Sequence, residues 1–163
     1  MVESDEFLDP VAKKTVLRQF TYGLYVVAAA LGDQRGIFTA NWISQVSFEP
    51  PLVMVSVERE SSTLPLILGS GTLVVAPLPE VARELAGALG KPKSRAGDKY
   101  EAVGFETVVT HTGVRVPSSV LGYVTCRMRS ITDAGDSVMV LGEVIEAVSF
   151  DSGLPLTMRD AGF

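Results

Sequence analysis

The chain has 163 residues, which suits one domain with a real core and would be cramped for two. Apolar residues make up 47% and charged ones 20%, ordinary for a globular protein, and no apolar run approaches the ~20 residues that a membrane-spanning helix needs. A net charge of −5 argues against nucleic acid as a partner, and it requires any anionic ligand to be held by a local site rather than by the general field.

The acidic start, Met1–Glu6, is unlike a basic signal peptide, and the one cysteine, Cys126, leaves no intrachain disulfide. Both features point to a reducing cytoplasm. Cys126 itself reads as a small buried hydrophobe in a strand.

In chain order, Asp9-Pro10 opens a first helix, with Asp9 as N-cap and Pro10 in the first helical position. Val11, Val16, Leu17 and Phe20 give it an apolar stripe through about residue 20. Leu24–Leu31 is an apolar strand, Gly32–Gly36 a turn, and Ile37–Asn41 a returning strand. Residues 39–48 fit neither a period of 2 nor one of 3.6, so they are expected to be irregular. Pro50-Pro51 ends that stretch stiffly, because proline fixes φ and donates no N–H.

Leu52–Val57 reads as a buried strand, and Ser61–Leu68 as a short helix capped by a serine and closed by Gly69. Thr72–Ala76 is a strand, Pro79–Leu89 an amphipathic helix, and Gly90–Gly97 a basic loop carrying Lys91, Lys93 and Arg95. Residues 105–117 alternate patchily. Val120–Ser130 and Val138–Val148 are the clearest late strands, and Gly142 within the second signals a bulge or a close backbone approach. The tail, Pro155–Asp160, is expected to be extended.

Metal chemistry is nearly excluded, because the chain has one histidine, one cysteine and no acidic cluster at ligand spacing. No G-x-S-x-G surrounds a serine and no G-x-G-x-x-G follows a strand, which removes the common hydrolase and Rossmann sites. A bound organic cofactor is then attractive, since it brings its own chemistry. Thr39-Ala40-Asn41-Trp42, Ser44 and Gln45 place hydroxyl, amide and backbone donors in a row, which suits a polar ring-shaped ligand. Arg59, Ser61 and Thr63 set one guanidinium and two hydroxyls before a helix, a combination that either holds a phosphate or merely caps the helix while Arg59 pairs with Glu58 or Glu60. Trp42 serves either as packing in a core or interface or as a wall beside a ligand.

The stretch TANWISQVSFEPPLVMVSVERESST (residues 39–63) resembles the signature of the flavin reductase-like, FMN-binding split-barrel family, which includes flavoredoxins. The likeness extends to Gly23–Val27 upstream and to Gly135-Asp136 and Gly142-Glu143-Val144 downstream. It implies a mainly β Greek-key split barrel over residues 1–163, few peripheral helices and a homodimer. It also implies bound FMN, with FAD the lesser choice, held by Thr39, Ala40, Asn41, Trp42, Ser44, Gln45, Arg59, Ser61 and Thr63. NAD(P)H or a redox protein would supply the electrons. Many members carry Gly-Asp-His where this chain has Gly135-Asp136-Ser137, and serine cannot supply imidazole chemistry at that point. Three readings stay open: an FMN oxidoreductase, an FMN electron carrier with no NAD(P)H site, and a cofactor-free dimeric barrel.

Overall fold

The computed structural model describes residues 7–150 and 153–163; Met1–Glu6, read above for its charge, lies outside them. The described elements are α1 (Pro10–Leu17), β1 (Tyr25–Leu31), β2 (Gln34–Ala40), β3 (Ile43–Ser47), β4 (Leu52–Glu58) and α2 (Leu64–Ser70). They continue as β5 (Thr72–Pro77), α3 (Arg83–Leu89), α4 (Lys93–Ala96), α5 (Lys99–Val103), β6 (Thr107–Val109) and β7 (Arg115–Pro117). The chain ends with β8 (Gly122–Ala134), β9 (Ser137–Ser149) and α6 (Met158–Ala161).

Seven strands form one antiparallel sheet in the order β2-β1-β5-β8-β9-β4-β3, and β6 pairs with β7 in a small hairpin. The two edge strands, β2 and β3, are consecutive in sequence and joined only by Asn41-Trp42. Laid flat, six strand spacings would separate them by roughly 29 Å. Three Cα–Cα steps reach at most about 11 Å. The sheet must therefore curl until its edges meet, and it closes as a barrel split along the β2–β3 seam. Among the described residues no ladder joins those two edges.

Both faces of the central strands are buried, which explains the unbroken apolar run in β1. Val26 and Ala28 pack with Val74 and Ala76 beneath Leu89, Tyr100, Val116 and Leu156. Val27 and Ala29 face the other way, toward Val55, Leu73, Val75, Cys126, Val140 and Ile67 of α2. Each such side chain contributes roughly 1.5–3 kcal/mol by leaving water.

Several boundaries differ from the sequence reading. The irregular stretch expected over residues 39–48 resolves into the end of β2 and the whole of β3, because Ile43–Ser47 pairs with β4. The helix expected from Pro79 starts at Arg83, since Pro79 bridges Pro155 and the Glu80 amide donates to Leu154 O. The helix expected to close at Gly69 runs to Ser70 and stops at Gly71, whose φ of 72° favours glycine. The basic loop contains α4, and the tail ends in α6. The β8–β9 register shifts twice, with Ile145 the extra residue of β9 opposite Thr125/Cys126 and Arg129 the extra residue of β8 opposite Gly142/Leu141. Gly142 also permits a close approach: a Cβ there would sit 2.7 Å from the Cβ of Cys126. The apolar stripe of α1 is present, but none of its residues is buried. Among the described residues no helix is long and apolar enough to cross a membrane.

Candidate functional site

The seam opens into a cleft of about 780 Å³. One wall is Phe38, Thr39 and Ala40 at the end of β2, followed by Asn41 and Trp42. Ser56, Glu58 and the Glu60–Thr63 turn that leads into α2 also line the cleft, with Ser137 from β9. Lys91–Ser94, the segment that enters α4, and Lys99 complete it.

Each side chain is held by a local cause. The Thr39 hydroxyl donates to Ala86 O in the last turn of α3 at 2.6 Å. Ala86 O also accepts the Gly90 amide at 3.0 Å, so the threonine is its second donor. The Asn41 amide donates to the Met158 sulfur at 3.1 Å. Trp42 is 51% exposed and meets Tyr22 edge-on, with centroids 6.4 Å apart, so it lies on a wall rather than in the core. Ser61 Oγ accepts the Thr63 amide at 3.3 Å. Thr63 is buried against β2, where a Cβ on Gly36 would approach its hydroxyl to 2.5 Å.

Of the nine residues singled out from sequence, Thr39, Ala40, Asn41, Trp42, Ser61 and Thr63 converge on the cleft. The placement of the other three is corrected. Arg59 turns away: its Nε donates to Gly135 O at 2.9 Å, and its guanidinium pairs with Asp133 at 2.8 Å. The cause is strand register. Glu58 lies opposite Ser137, so Arg59 follows beside the β8–β9 turn, while Glu58 and Glu60 on either side of it line the cleft. Arg59 therefore pairs with neither Glu58 nor Glu60. Ser44 and Gln45, in β3, line a separate cavity of about 580 Å³ with Tyr25 and Tyr123.

Sequence reading missed Lys99. Its Nζ donates to Ile37 O at 3.0 Å and to Leu89 O at 2.7 Å, and it is buried at 8% exposure. Desolvation lowers its pKa. The available signal was its place just after the basic loop, at the start of α5, where Asp98 caps the helix by accepting the Tyr100 amide. Ser137 is 3% exposed and donates to Asp136.

A larger cavity of about 1010 Å³ adjoins the cleft and shares Asn41 and Trp42 with it. Its lining includes Lys13, Lys14, Arg18 and Arg159, with the aromatic faces of Phe20, Tyr22 and Phe163. Among the described residues no His, Cys, Asp and Glu group could hold a metal. Burial pushes the Cys126 thiol up to about 12, which leaves it inert.

The cleft thus brings ammonium, hydroxyl, amide and aromatic groups together with the carboxylates of Glu58 and Glu60. Comparison with known proteins bears on it directly. The model of the flavin reductase like domain matches residues 17–163. The reductase component of a 4-hydroxyphenylacetate 3-monooxygenase from Thermus thermophilus is 31% identical, over 93% of this chain and 93% of its own length. A high molecular weight rubredoxin of Moorella thermoacetica is 28% identical over 86% of the chain, which spans less than two thirds (62%) of that relative. The crystal structure of a Streptomyces globisporus NADH:FAD oxidoreductase superposes with a TM-score of 0.83 at 22% identity, over 97% of this chain and 95% of that one.

Proposed function

Because the chain belongs to the flavin reductase like domain family, we propose that it is a flavin-dependent oxidoreductase whose cofactor lies in the seam cleft. The observation that carries this reading is the polarity of that cleft. Ser61, Ser62, Lys91 and Lys93 line it together with Asn41 and Trp42, beside the carboxylates of Glu58 and Glu60, in about 780 Å³. The donor set fits FMN: hydroxyls and ammonium groups suit a terminal phosphate, and backbone and amide groups suit the pyrimidine edge of the ring. FMN is preferred to FAD because the cleft's hydroxyl and ammonium groups suit a terminal phosphate. When bound, the flavin supplies the redox chemistry.

The protein's own residues bind and orient. Thr39 and Ala40 shape the wall, Asn41 presents its carbonyl oxygen while its amide is engaged by Met158, and Trp42 forms an apolar flank. The buried Ser137 offers a hydroxyl where an imidazole is absent, so recognition of a dinucleotide donor must come from elsewhere. The adjoining cavity is suited to that. Lys13, Lys14, Arg18 and Arg159 can meet a diphosphate, and its aromatic walls can take planar rings, so NAD(P)H is the proposed donor.

A homodimer is the proposed assembly, with the exposed apolar residues of α1 and of the β3–β4 connection, among them Val11, Leu17 and Phe48, as its contact surface. The naming of the Thermus relative as a monooxygenase's reductase component supports an oxygenase as acceptor of the reduced flavin. The single buried cysteine fits a reducing, cytoplasmic setting.

The test is to purify the protein, release any flavin by heat and identify it chromatographically, then titrate the holoprotein anaerobically with NADH and NADPH. FMN release and bleaching of the flavin bands are expected. Failure of the protein to take up any flavin would overturn the proposal.

A further inference from the structure

Four cations converge on the cavity of about 1010 Å³ beside the cleft: Lys13 and Lys14 in α1, Arg18 at its C-cap, and Arg159 in α6. Among the described residues no aspartate or glutamate shares that lining, and none of the four cations joins an ion pair. The chain as a whole carries −5, so the cavity reverses its charge locally. Cations near the end of a helix are favoured by its dipole. That accounts for Lys14 and Arg18 but not for Arg159, which a different helix brings to the same space. Like charges gathered without a counter-charge repel one another, and a bound polyanion relieves the repulsion.

We infer that this cavity selects NADPH over NADH, with Lys13 and Lys14 on the 2′-phosphate and Arg18 and Arg159 on the diphosphate. The inference rests on the donor reading above and narrows it to one dinucleotide. The diphosphate of either donor carries two negative charges, and a 2′-phosphate adds about two more near neutral pH. Only NADPH therefore matches four cations. A site made for NADH holds the free 2′-hydroxyl with a carboxylate, whereas a 2′-phosphate calls for a basic side chain. The described lining has the basic side chains and no carboxylate side chain. The spacing agrees as well. The Arg18 amide donates to Lys14 O, so the two residues stand one helical turn apart, about 6 Å along the axis. That leaves room for a ribose between the two phosphate positions. Phe20, Tyr22 and Trp42 supply flat apolar faces for the base and the nicotinamide.

The test measures kcat/KM of the flavin-loaded protein for NADPH and for NADH, reading the bleaching of the flavin bands under anaerobic conditions. Wild type is compared with two double variants, Lys13→Gln with Lys14→Gln and Lys13→Arg with Lys14→Arg. Wild type should favour NADPH at least about ten-fold, the scale of a charge-assisted contact. The neutral pair should lose most of that preference, and the arginine pair should keep it. Both lysines are exposed and glutamine suits a helix, so the neutral pair is expected to fold as wild type does. Raising the salt concentration should slow the reaction with NADPH more steeply than that with NADH, because the former carries more charge. As a second measurement, adenosine 2′,5′-bisphosphate should compete with the donor at least about ten-fold more strongly than 5′-AMP.

Equal or greater efficiency with NADH in wild type overturns the inference. So does a preference for NADPH that survives in the neutral pair, since Lys13 and Lys14 would then not hold the 2′-phosphate. Equal losses for both donors in that variant overturn it too, because they place the two lysines on the diphosphate. A flavin-loaded protein that neither donor bleaches defeats the donor reading and this inference with it. Bleaching by NADH alone sinks the inference and leaves the donor reading standing, which keeps the two failures distinct.

Discussion

Thr39 and Ala86 are joined by a hydrogen bond of 2.6 Å from the threonine hydroxyl to the carbonyl oxygen, across 47 residues of sequence. It links the end of β2 to the last turn of α3, so one wall of the cleft is held by a helix terminus. The same terminus is bound a second time by Lys99 at Leu89 O.

Removing that hydroxyl with Thr39→Val leaves the Ala86 carbonyl without its side-chain donor in a part-buried place. Because that carbonyl keeps the Gly90 amide, a loss of about 0.5–1.5 kcal/mol is expected, and Thr39→Ser should restore most of it. Urea denaturation of the three proteins at one pH measures both effects. A valine variant as stable as wild type would show that water replaces the hydroxyl.

Arg59 should matter little to the flavin. Its guanidinium is 43% exposed and pairs with an Asp133 side chain that is 88% exposed, so the pair contributes under ~1 kcal/mol. Arg59→Ala should leave the ratio of FMN to riboflavin affinity unchanged. A selective loss of FMN on titration would return Arg59 to the phosphate site.

Glu146 should give the fold a pH dependence on the acid side. Burial tends to raise its pKa, but donation from Thr125 at 2.7 Å, Tyr123 at 2.9 Å and the His111 amide at 3.2 Å outweighs that. Its pKa in the folded protein lies below the ordinary 4.5. The stabilisation is therefore complete above that value and is lost as pH falls through the lowered one. Denaturation curves between pH 3 and 7 should show wild type losing stability more steeply than Glu146→Gln below the ordinary value. Parallel curves would exclude Glu146 as the source.

Charge reversal in the adjoining cavity should separate dinucleotide from flavin recognition. In Arg18→Glu the KM for NADH is expected to rise roughly ten-fold with kcat and FMN affinity nearly unchanged, because only the diphosphate senses that charge. A dihydronicotinamide lacking the diphosphate should react equally well with both proteins. Steady-state kinetics with the two donors decides it, and an unchanged KM for NADH would remove the cavity from the donor's path.

Much of the fold was legible because local chemistry specifies it. Asp9 caps α1 by accepting the amides of Val11 and Ala12, and the valine-rich runs became β1, β4 and β5. What was not legible depended on pairing between distant segments. Nothing local to Glu58-Arg59-Glu60 reveals that Glu58 stands opposite Ser137, and only that register sends Arg59 to Asp133. Lys99 was hidden for a related reason: a lysine after a basic loop looks solvated until β2 and α3 close over it. Trp42 was legible as a ligand wall or as packing in a core or interface, and its half-exposed position between two cavities excludes only the core.

The break between β2 and β3 has a dynamic consequence. Everywhere else in the barrel, parting two strands costs a row of backbone hydrogen bonds; at Asn41-Trp42 the described edges share none. The barrel can therefore breathe along this one line, widening by small backbone rotations while its other ladders stay intact. A bulky planar molecule can enter there without local unfolding. Amide hydrogens beside the break should accordingly exchange with solvent sooner than those of the thirteen-residue strands β8 and β9, and slow once a ligand bridges the gap.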